Sequence, residues 1–493
     1  MSAANDNRFV TFARTLFATL SLIAISGFII SAVIRLVYPY ELEWMEGGIL
    51  LHIQRVMDGL PLYVQPSLDF TPYIYPPLYY YVCAGFAVVL GNSFFTARIV
   101  SLLATLGCFT LIYLIVYKRT RDITTSLAAV GLYACTYRLS GYWFEIARVD
   151  SLFLFFLLCG LYTFISNRSS VRNYLTPLFF TLAFLTKQTA IIGIGGIAIA
   201  TFLNRRGFER IRITLVSVAL VILITVWMNQ QTDGWFFYYV FQVPDNHLFI
   251  SPVLIAFWTL FLTAAAVFCI LPFVYPIEKF NRHLIKKIPW ELVALIFMGY
   301  VSKLHWGGYR NVLMPAYAAL AISFGFGFHE FFRSRIRKNW GYVLIAVCTL
   351  FQLSQLGYYH WQAIPSTASK RQGEQLLQTI SQYRGPVFFP SQPWFLFQTK
   401  HETQAQEMAI YDVISNDESN RVNERIEKDF LNRVENRYYE AIITNDSTFL
   451  LKPEHFYSYY QLVDSNVCNN DFLPTSGAKV KPSYLFIRNS VAN

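Results

Sequence analysis

The chain is short of charge. Only 14% of its 493 residues are Asp, Glu, Lys or Arg, while 55% are hydrophobic; a soluble domain carries about 25% charged residues. A soluble globular protein is therefore excluded as a description of the whole. There is no disulfide or metal-finger framework either. The seven cysteines (83, 108, 135, 159, 269, 348, 468) are scattered without a CxxC pair, six of them in apolar stretches and Cys468 in a polar tail. They read as small hydrophobes in helices. Internal repeats and low-complexity stretches are absent. The region after residue 360 has no GxGxxG, Walker loop or Ser-His-Asp spacing. The net charge of +10 gives no binding stripe, because the bases sit in short clusters between apolar segments, and a nucleic-acid partner is excluded on that pattern.

What the chain has instead is a series of membrane-length apolar segments. After a polar start with Arg8 and Arg14, Thr15 to Val37 is apolar and long enough to cross at roughly 20 residues. Its core is too long for a signal-peptide h-region, so it is expected to be a retained first helix. Further spans are predicted at 98–117, 123–139, 150–166, 174–186, 188–203, 212–230, 252–276, 289–302, 312–329 and 340–358. With eleven spans and a cytoplasmic N-terminus, all the basic clusters fall on one side: those at Lys118, Arg168, Arg205, Lys279 and Arg333. That side then holds 19 of the 27 Lys and Arg before residue 360, and the positive-inside bias makes it cytoplasmic. Pro77 to Leu90 is apolar but only about 14 residues long, a length more often interfacial than spanning. Residues 76–91 are read as a juxtamembrane helix that stays outside, within one large external loop, 38–97. The expected fold class is an α-helical polytopic membrane protein of about eleven transmembrane helices (residues 1–359), followed by an external soluble α/β domain (360–493). The latter is read from a helix at Glu374 to Tyr383, a charged helix at Asp417 to Val434, and strands at Pro386 to Phe389, Glu440 to Thr444 and Tyr484 to Arg488.

The first external loop concentrates the chemistry. Glu41, Glu43 and Glu46 lie within six residues, ahead of Asp58, Asp69 and a Tyr75-Pro76-Pro77 clamp. A lone external carboxylate is ordinarily a solvated loop residue. Glu43 and Glu46, however, are three apart at the mouth of a helix predicted over 49–58, so both can face one side. Asp150 lies at the outer end of a span with Arg148 nearby, where a charge is costly unless it is used. Two short spans meet at Thr186-Lys187-Gln188, as an outward hairpin or as two half-helices lining a cavity. Lys187 there either meets water or an anion, or snorkels from a helix end. Lys303, His305 and Arg310 fall in SKLHWGGYRNVLMP, equally readable as an anion-binding turn and as interfacial anchoring. With Arg98, these bases suit a phosphate leaving group. A carboxylate base that deprotonates an acceptor hydroxyl, with cations stabilising charge on a departing lipid phosphate, would transfer a sugar. The same residue types equally allow a transporter.

Trp44-Met45-Glu46-Gly47-Gly48, Tyr75-Pro76-Pro77-Leu78, Ala97-Arg98 and Asp150-Ser151, in that order and on one membrane face, resemble the GT-C superfamily of polyprenyl-phosphate-sugar glycosyltransferases. Within it the chain is similar to the branch of the protein O-mannosyltransferases and lipid A aminoarabinose transferases. The resemblance covers roughly residues 15–330 and the general pattern of an external C-terminal domain. It implies a catalytic base in the first loop. Glu46 is the match, with Glu43 as the alternative because Met45 stands where the family has Asp. It implies that Arg98 and Lys187, joined by Arg148 and Arg310, contact the donor phosphate, and that Asp150 is a second acid orienting a cation or the acceptor. Tyr75, Asp69, Gln188 and His305 would line the substrate cleft. Some members bind a divalent metal through an acid just before Pro-Pro-Leu and a later His; here Ile74-Tyr75 replaces that acid, and neither a metal nor another cofactor is expected. The implied partners are a polyprenyl-phosphate-linked sugar donor, a glycan, lipid or protein acceptor, and the bilayer of a bacterial inner membrane. Two other classes compete. A flippase or transporter for lipid-linked sugars would place its polar groups at mid-membrane and show a two-fold repeat. A non-catalytic scaffold would leave the acid cluster without a role.

Overall fold

The computed structural model describes residues 2–166, 168–203, 207–245, 289–304, 307–333, 360–414, 421–445 and 456–489. The spans predicted over 252–276 and 340–358, and His305, lie outside these residues.

Before residue 334 the described chain is helical: α1 (Ser2–Leu36), α2 (Glu46–Met57), α3 (Leu78–Leu90), α4 (Phe94–Thr120), α5 (Ile123–Cys135), α6 (Asp150–Phe164), α7 (Thr176–Thr186), α8 (Ala190–Leu203), α9 (Phe208–Gln231), α10 (Trp290–Leu304) and α11 (Met314–Arg333). The breaks have local causes. The chain turns between α3 and α4 at Gly91, and Ser93 caps α4 by accepting from the Thr96 N–H at 3.3 Å. Asp122 caps α5 in the same way, accepting from Thr125 N–H at 3.2 Å.

Among the described residues, four segments are long and apolar enough to cross a membrane: Val10–Leu36, Phe94–Thr120, Phe208–Gln231 and Arg310–Glu330. Leu78–Leu90, Ile123–Cys135, Asp150–Phe164 and Ala190–Leu203 are apolar but shorter. The segment predicted over 123–139 stops at Cys135, and residues 136–149 fold into an irregular loop. An apolar run does not separate helix from buried irregular backbone. Here side chains satisfy that backbone, with Thr105 donating to Phe144 O at 2.6 Å and Arg35 to Tyr142 O at 3.1 Å. In the bundle α1 packs on α5, α4 on α5 and α6, α6 on α7, and α10 between α8 and α11.

Residues after 360 form helices α12 (Thr367–Ser381), α13 (Trp394–Gln398), α14 (Glu407–Ile414) and α15 (Arg421–Glu435) around a four-stranded sheet. The strands are β1 (Val387–Phe388), β2 (Ala441–Thr444), β3 (Tyr460–Asp464) and β4 (Tyr484–Arg488), in the order β1-β2-β4-β3. β1 and β2 run parallel; the other pairs are antiparallel. Cys468, read as solitary in a polar tail, is buried with Val387, Ile443 and Leu485.

The first loop is clamped between the bundle and this sheet-bearing part. Tyr40 stacks on Phe395 with ring centroids 5.4 Å apart. Ala405 N–H donates to Leu68 O at 2.8 Å, and Ser476 N–H to Leu42 O at 2.8 Å. Gly47 and Gly48 permit the contact: a Cβ on Gly47 would lie 2.9 Å from Trp394 Cβ, and one on Gly48 would lie 2.9 Å from Gln406 Cβ.

Candidate active site

Four ion pairs with both partners buried gather at the sheet end of the bundle: Arg35–Glu145, Arg98–Glu46 (2.6 Å), Arg148–Glu43 (2.8 Å) and Lys187–Asp150 (2.5 Å). Taking such charges out of water costs several kcal/mol per ion unless hydrogen bonds complete each group. The completeness of that bonding separates the three candidate carboxylates.

Glu46 opens α2 and has no exposed surface. Its Oε1 accepts from Arg98 Nε at 3.0 Å and Ala147 N–H at 2.7 Å; its Oε2 accepts from Arg98 Nη2 and Leu42 N–H, both at 2.6 Å. Burial alone would raise its pKa, but the Arg98 charge and these hydrogen bonds together hold it below the usual carboxylate range. Arg98 also donates to Tyr38 O at 2.6 Å and Tyr40 O at 2.5 Å. The pair thus ties the loop entry, α2, α4 and the 136–149 loop together.

Glu43 is bonded on one oxygen only. Its Oε2 accepts from Arg148 Nη1 at 2.8 Å and Met45 N–H at 3.3 Å, and among the described residues Oε1 accepts no hydrogen bond. Burial pushes its carboxyl up; Arg148 opposes this and the Glu46 charge adds to it, leaving it at about 7. Gly477, beyond β3, lies directly against it. A Cβ there would meet Glu43 Cγ at 2.6 Å, and the residue has φ +69. Glu41 accepts from Gly47 N–H at 3.1 Å, and among the described residues its buried Oε2 has no partner. Burial, then the charges of Glu46 and Glu43, push it well above the usual range.

Asp150 opens α6 and is fully engaged. Its Oδ1 accepts from Lys187 Nζ at 2.5 Å and Asn311 Nδ2 at 2.9 Å, and its Oδ2 from Trp143 Nε1 at 2.8 Å. The α7–α8 break sets Lys187 opposite it. Beside them lies a small cavity of about 10 Å³, lined by Ser302 and Asn311 among others, which is room for about one water. Arg148 Nη2 donates to the Tyr75 hydroxyl at 2.9 Å, and Gln188 Nε2 to Ile74 O at 2.8 Å. Among the described residues, four buried polar atoms around these groups lack partners: Arg148 Nε, the Tyr80 hydroxyl, Gln188 Oε1 and Asn311 Oδ1. A buried polar atom calls for a partner, and bound water, an ion or a ligand would each supply one here.

Of the residues singled out in the sequence, Glu43, Glu46, Asp150, Arg98, Arg148, Lys187, Tyr75 and Gln188 come together here. Arg310 is exposed, next to Tyr309, whose ring lies 5.2 Å from Trp143. Asp69 stands apart, exposed and paired with Arg433 at 2.7 Å. His305 lies outside the described residues. Among the described residues no group of three His, Cys, Asp or Glu side chains is arranged to hold a metal. Sequence reasoning missed Arg35, Glu145, Trp143, Asn311 and the 473–477 segment. Arg35 carried a signal: a charge in the last turn of an apolar span is expensive unless paired. It bonds Glu145, Ala363 O, Thr475 and Ser476. The 473–477 segment carried none, since its role depends on docking across more than 400 residues of chain.

Residues 75–229 match the family model described as dolichyl-phosphate-mannose-protein mannosyltransferase. No curated protein sequence matches. The fold is similar to that of ArnT from Cupriavidus metallidurans in the apo state, with TM-score 0.60, 12% identity and 98% of each chain covered. It is also similar to the same protein bound to undecaprenyl phosphate, with TM-score 0.57, 13% identity, and 96% of this chain and 98% of that one covered.

Proposed function

We propose that this chain, whose family match and fold support membership of the GT-C superfamily, is an integral-membrane glycosyltransferase. It moves a hexosyl or pentosyl group from a polyprenyl-phosphate carrier to an acceptor hydroxyl. In this reading residues 1–359 cross the membrane eleven times from a cytoplasmic N-terminus. Residues 360–493 are an external domain, and the chemistry occurs on the outer face of the inner membrane. The observation that carries the proposal is Glu43: a buried carboxylate with one uncommitted oxygen, beside Arg148 and four orphaned polar atoms.

Glu43 is the base. It takes the proton of the acceptor hydroxyl as the acceptor oxygen bonds to the anomeric carbon. The bond from that carbon to the phosphate oxygen breaks, and its electron pair leaves on the lipid phosphate. A carboxyl held at about 7 is matched to this work at neutral pH. Arg148 steadies the carboxylate and the developing charge, and Lys187 supplies a point charge for the leaving phosphate once the donor draws it from Asp150. Glu46 and Arg98 hold the base in place. Orphaned donors and acceptors at Arg148, Tyr80, Gln188 and Asn311 suit a hydroxyl-rich ligand. The relative bound to undecaprenyl phosphate supports a carrier of that class.

The test is transfer by the purified full chain, using polyprenyl-phosphate sugars and a panel of glycan, lipid and peptide acceptors, with release of polyprenyl phosphate as the readout. Stoichiometric release and glycosylated product are expected. Translocation of the intact donor across vesicles without release would establish a flippase instead.

A further inference from the structure

At the opposite end of the bundle from the sheet, marked by the Arg14–Asp122 pair, a second cluster of charge has no part in the chemistry above. Lys118 and Arg119 end α4, and Arg210 lies in the first turn of α9. They line a pocket of about 270 Å³ between α4, α6, α9, α10 and α11, whose walls include Ile115, Leu161 and Ile165. Each cation is laid on an aromatic face: Lys118 Nζ is 5.0 Å from the Tyr162 ring centroid, Arg119 Cζ 4.4 Å from Phe326, and Arg210 Cζ 5.5 Å from Phe164. Among the described residues, the one carboxylate on the wall is Glu291. Among the described residues neither Lys118 nor Arg119 makes an ion pair, whereas nearby Arg14 and Arg172 are matched with Asp122 and Glu209.

We propose that this pocket binds the phosphodiester headgroup of an anionic phospholipid from the adjacent leaflet. Three points favour a lipid over a free anion. The pocket opens at the level where α4 ends, which is headgroup depth for a helix that spans. Its walls are apolar below the cations, so the glycerol and upper acyl chain have a dry surface to follow. The neighbouring α9 exposes Leu215, Ile222 and Leu223 along its length, a surface suited to acyl chains. Basic pockets between helices on the cytoplasmic side attract anionic headgroups, each Lys or Arg adding to the attraction. At about 270 Å³ the space is below the roughly 300–1,000 Å³ of sites for drug-sized ligands, and so suits a headgroup rather than a lipid-linked sugar.

The experiment is native mass spectrometry of the purified full chain in neutral detergent, titrated in parallel with phosphatidylglycerol and phosphatidylcholine. Inorganic phosphate is tested in a separate melting assay. The wild type is expected to retain one phosphatidylglycerol in preference to phosphatidylcholine, and inorganic phosphate to leave its melting temperature unchanged. Lys118→Gln with Arg119→Gln removes two cations and should weaken that one site about 30-fold. Ile165→Trp fills the pocket without changing charge and should abolish the same site. Unaltered phosphatidylglycerol binding in either variant overturns the proposal, because the attraction then comes from the general field of the basic end. Stabilisation by inorganic phosphate equal to that by the lipid overturns the lipid assignment. If the double variant fails to fold, Ile165→Trp and the phosphate arm decide the matter alone.

Discussion

Replacing Arg98 by Met removes the guanidinium that holds both oxygens of Glu46 and the carbonyls of Tyr38 and Tyr40. Neither partner of the ion pair has exposed surface, so water cannot take over. Breaking a buried pair by removing one partner costs about 3–5 kcal/mol, and that is the loss expected for Arg98→Met at neutral pH. The pH dependence makes the prediction sharper. In the wild type Glu46 sits below its usual 4.5, so its contribution is present above that value and is lost as pH falls through the lowered one. In Arg98→Met only the Ala147 and Leu42 N–H bonds still oppose burial, and the folded-state value rises above 4.5. The variant should then be least compromised in acid and lose stability as pH rises. The stability difference between the two proteins therefore grows from pH 4.5 to 8. Replacing both partners, as Glu46→Leu with Arg98→Met, should cost much less than the sum of the single changes, because no buried charge is stranded. Denaturant unfolding of the detergent-purified chain measures all three. A loss under about 1 kcal/mol, constant across that pH range, would refute the claim that this pair anchors the loop.

Four further outcomes are expected. Because Arg148 holds the Glu43 carboxyl down, Arg148→Gln should move the acid limb of kcat/KM to higher pH than in the wild type, where it falls near 7. Gly477→Ala places a methyl against Glu43 in a backbone conformation unfavourable to alanine. The proposed base shifts, and kcat should fall about 10- to 100-fold with donor KM little changed. Lys187→Ala should raise donor KM and leave Asp150 with Asn311 and Trp143 as its partners; an unchanged donor KM would remove Lys187 from the phosphate site. In a cysteine-free background, Leu60→Cys and Gln461→Cys should react with an impermeant thiol reagent from outside the cell and Arg121→Cys should not; labelling at 121 would contradict the proposed topology.

The sequence made the membrane class and the neighbourhood of the candidate site legible because both depend on local chemistry. Apolar length and clustered bases predict spans, and three acids ahead of a Pro-Pro clamp announce a functional loop. What separates the acids was not legible. Glu43 and Glu46 differ by which hydrogen bonds reach them from Ala147, Leu42 and Arg98, and those arrive from up to 101 residues away. The same limit hid Glu145, whose partner Arg35 looked like part of an apolar span. It also hid Gly477, whose contact with Glu43 exists only once the C-terminal part docks. Asp69 shows the reverse error: an acid in the right loop that faces Arg433 and not the site.

The central claim is that Glu43, and not Glu46 or Asp150, takes the acceptor's proton. Single-turnover transfer with saturating donor measures this for Glu43→Gln against wild type, on protein shown to fold and to bind donor equally. The account predicts a rate about 10²- to 10⁴-fold lower and loss of the acid limb near pH 7. Retention of the wild-type rate and limb by Glu43→Gln would contradict it.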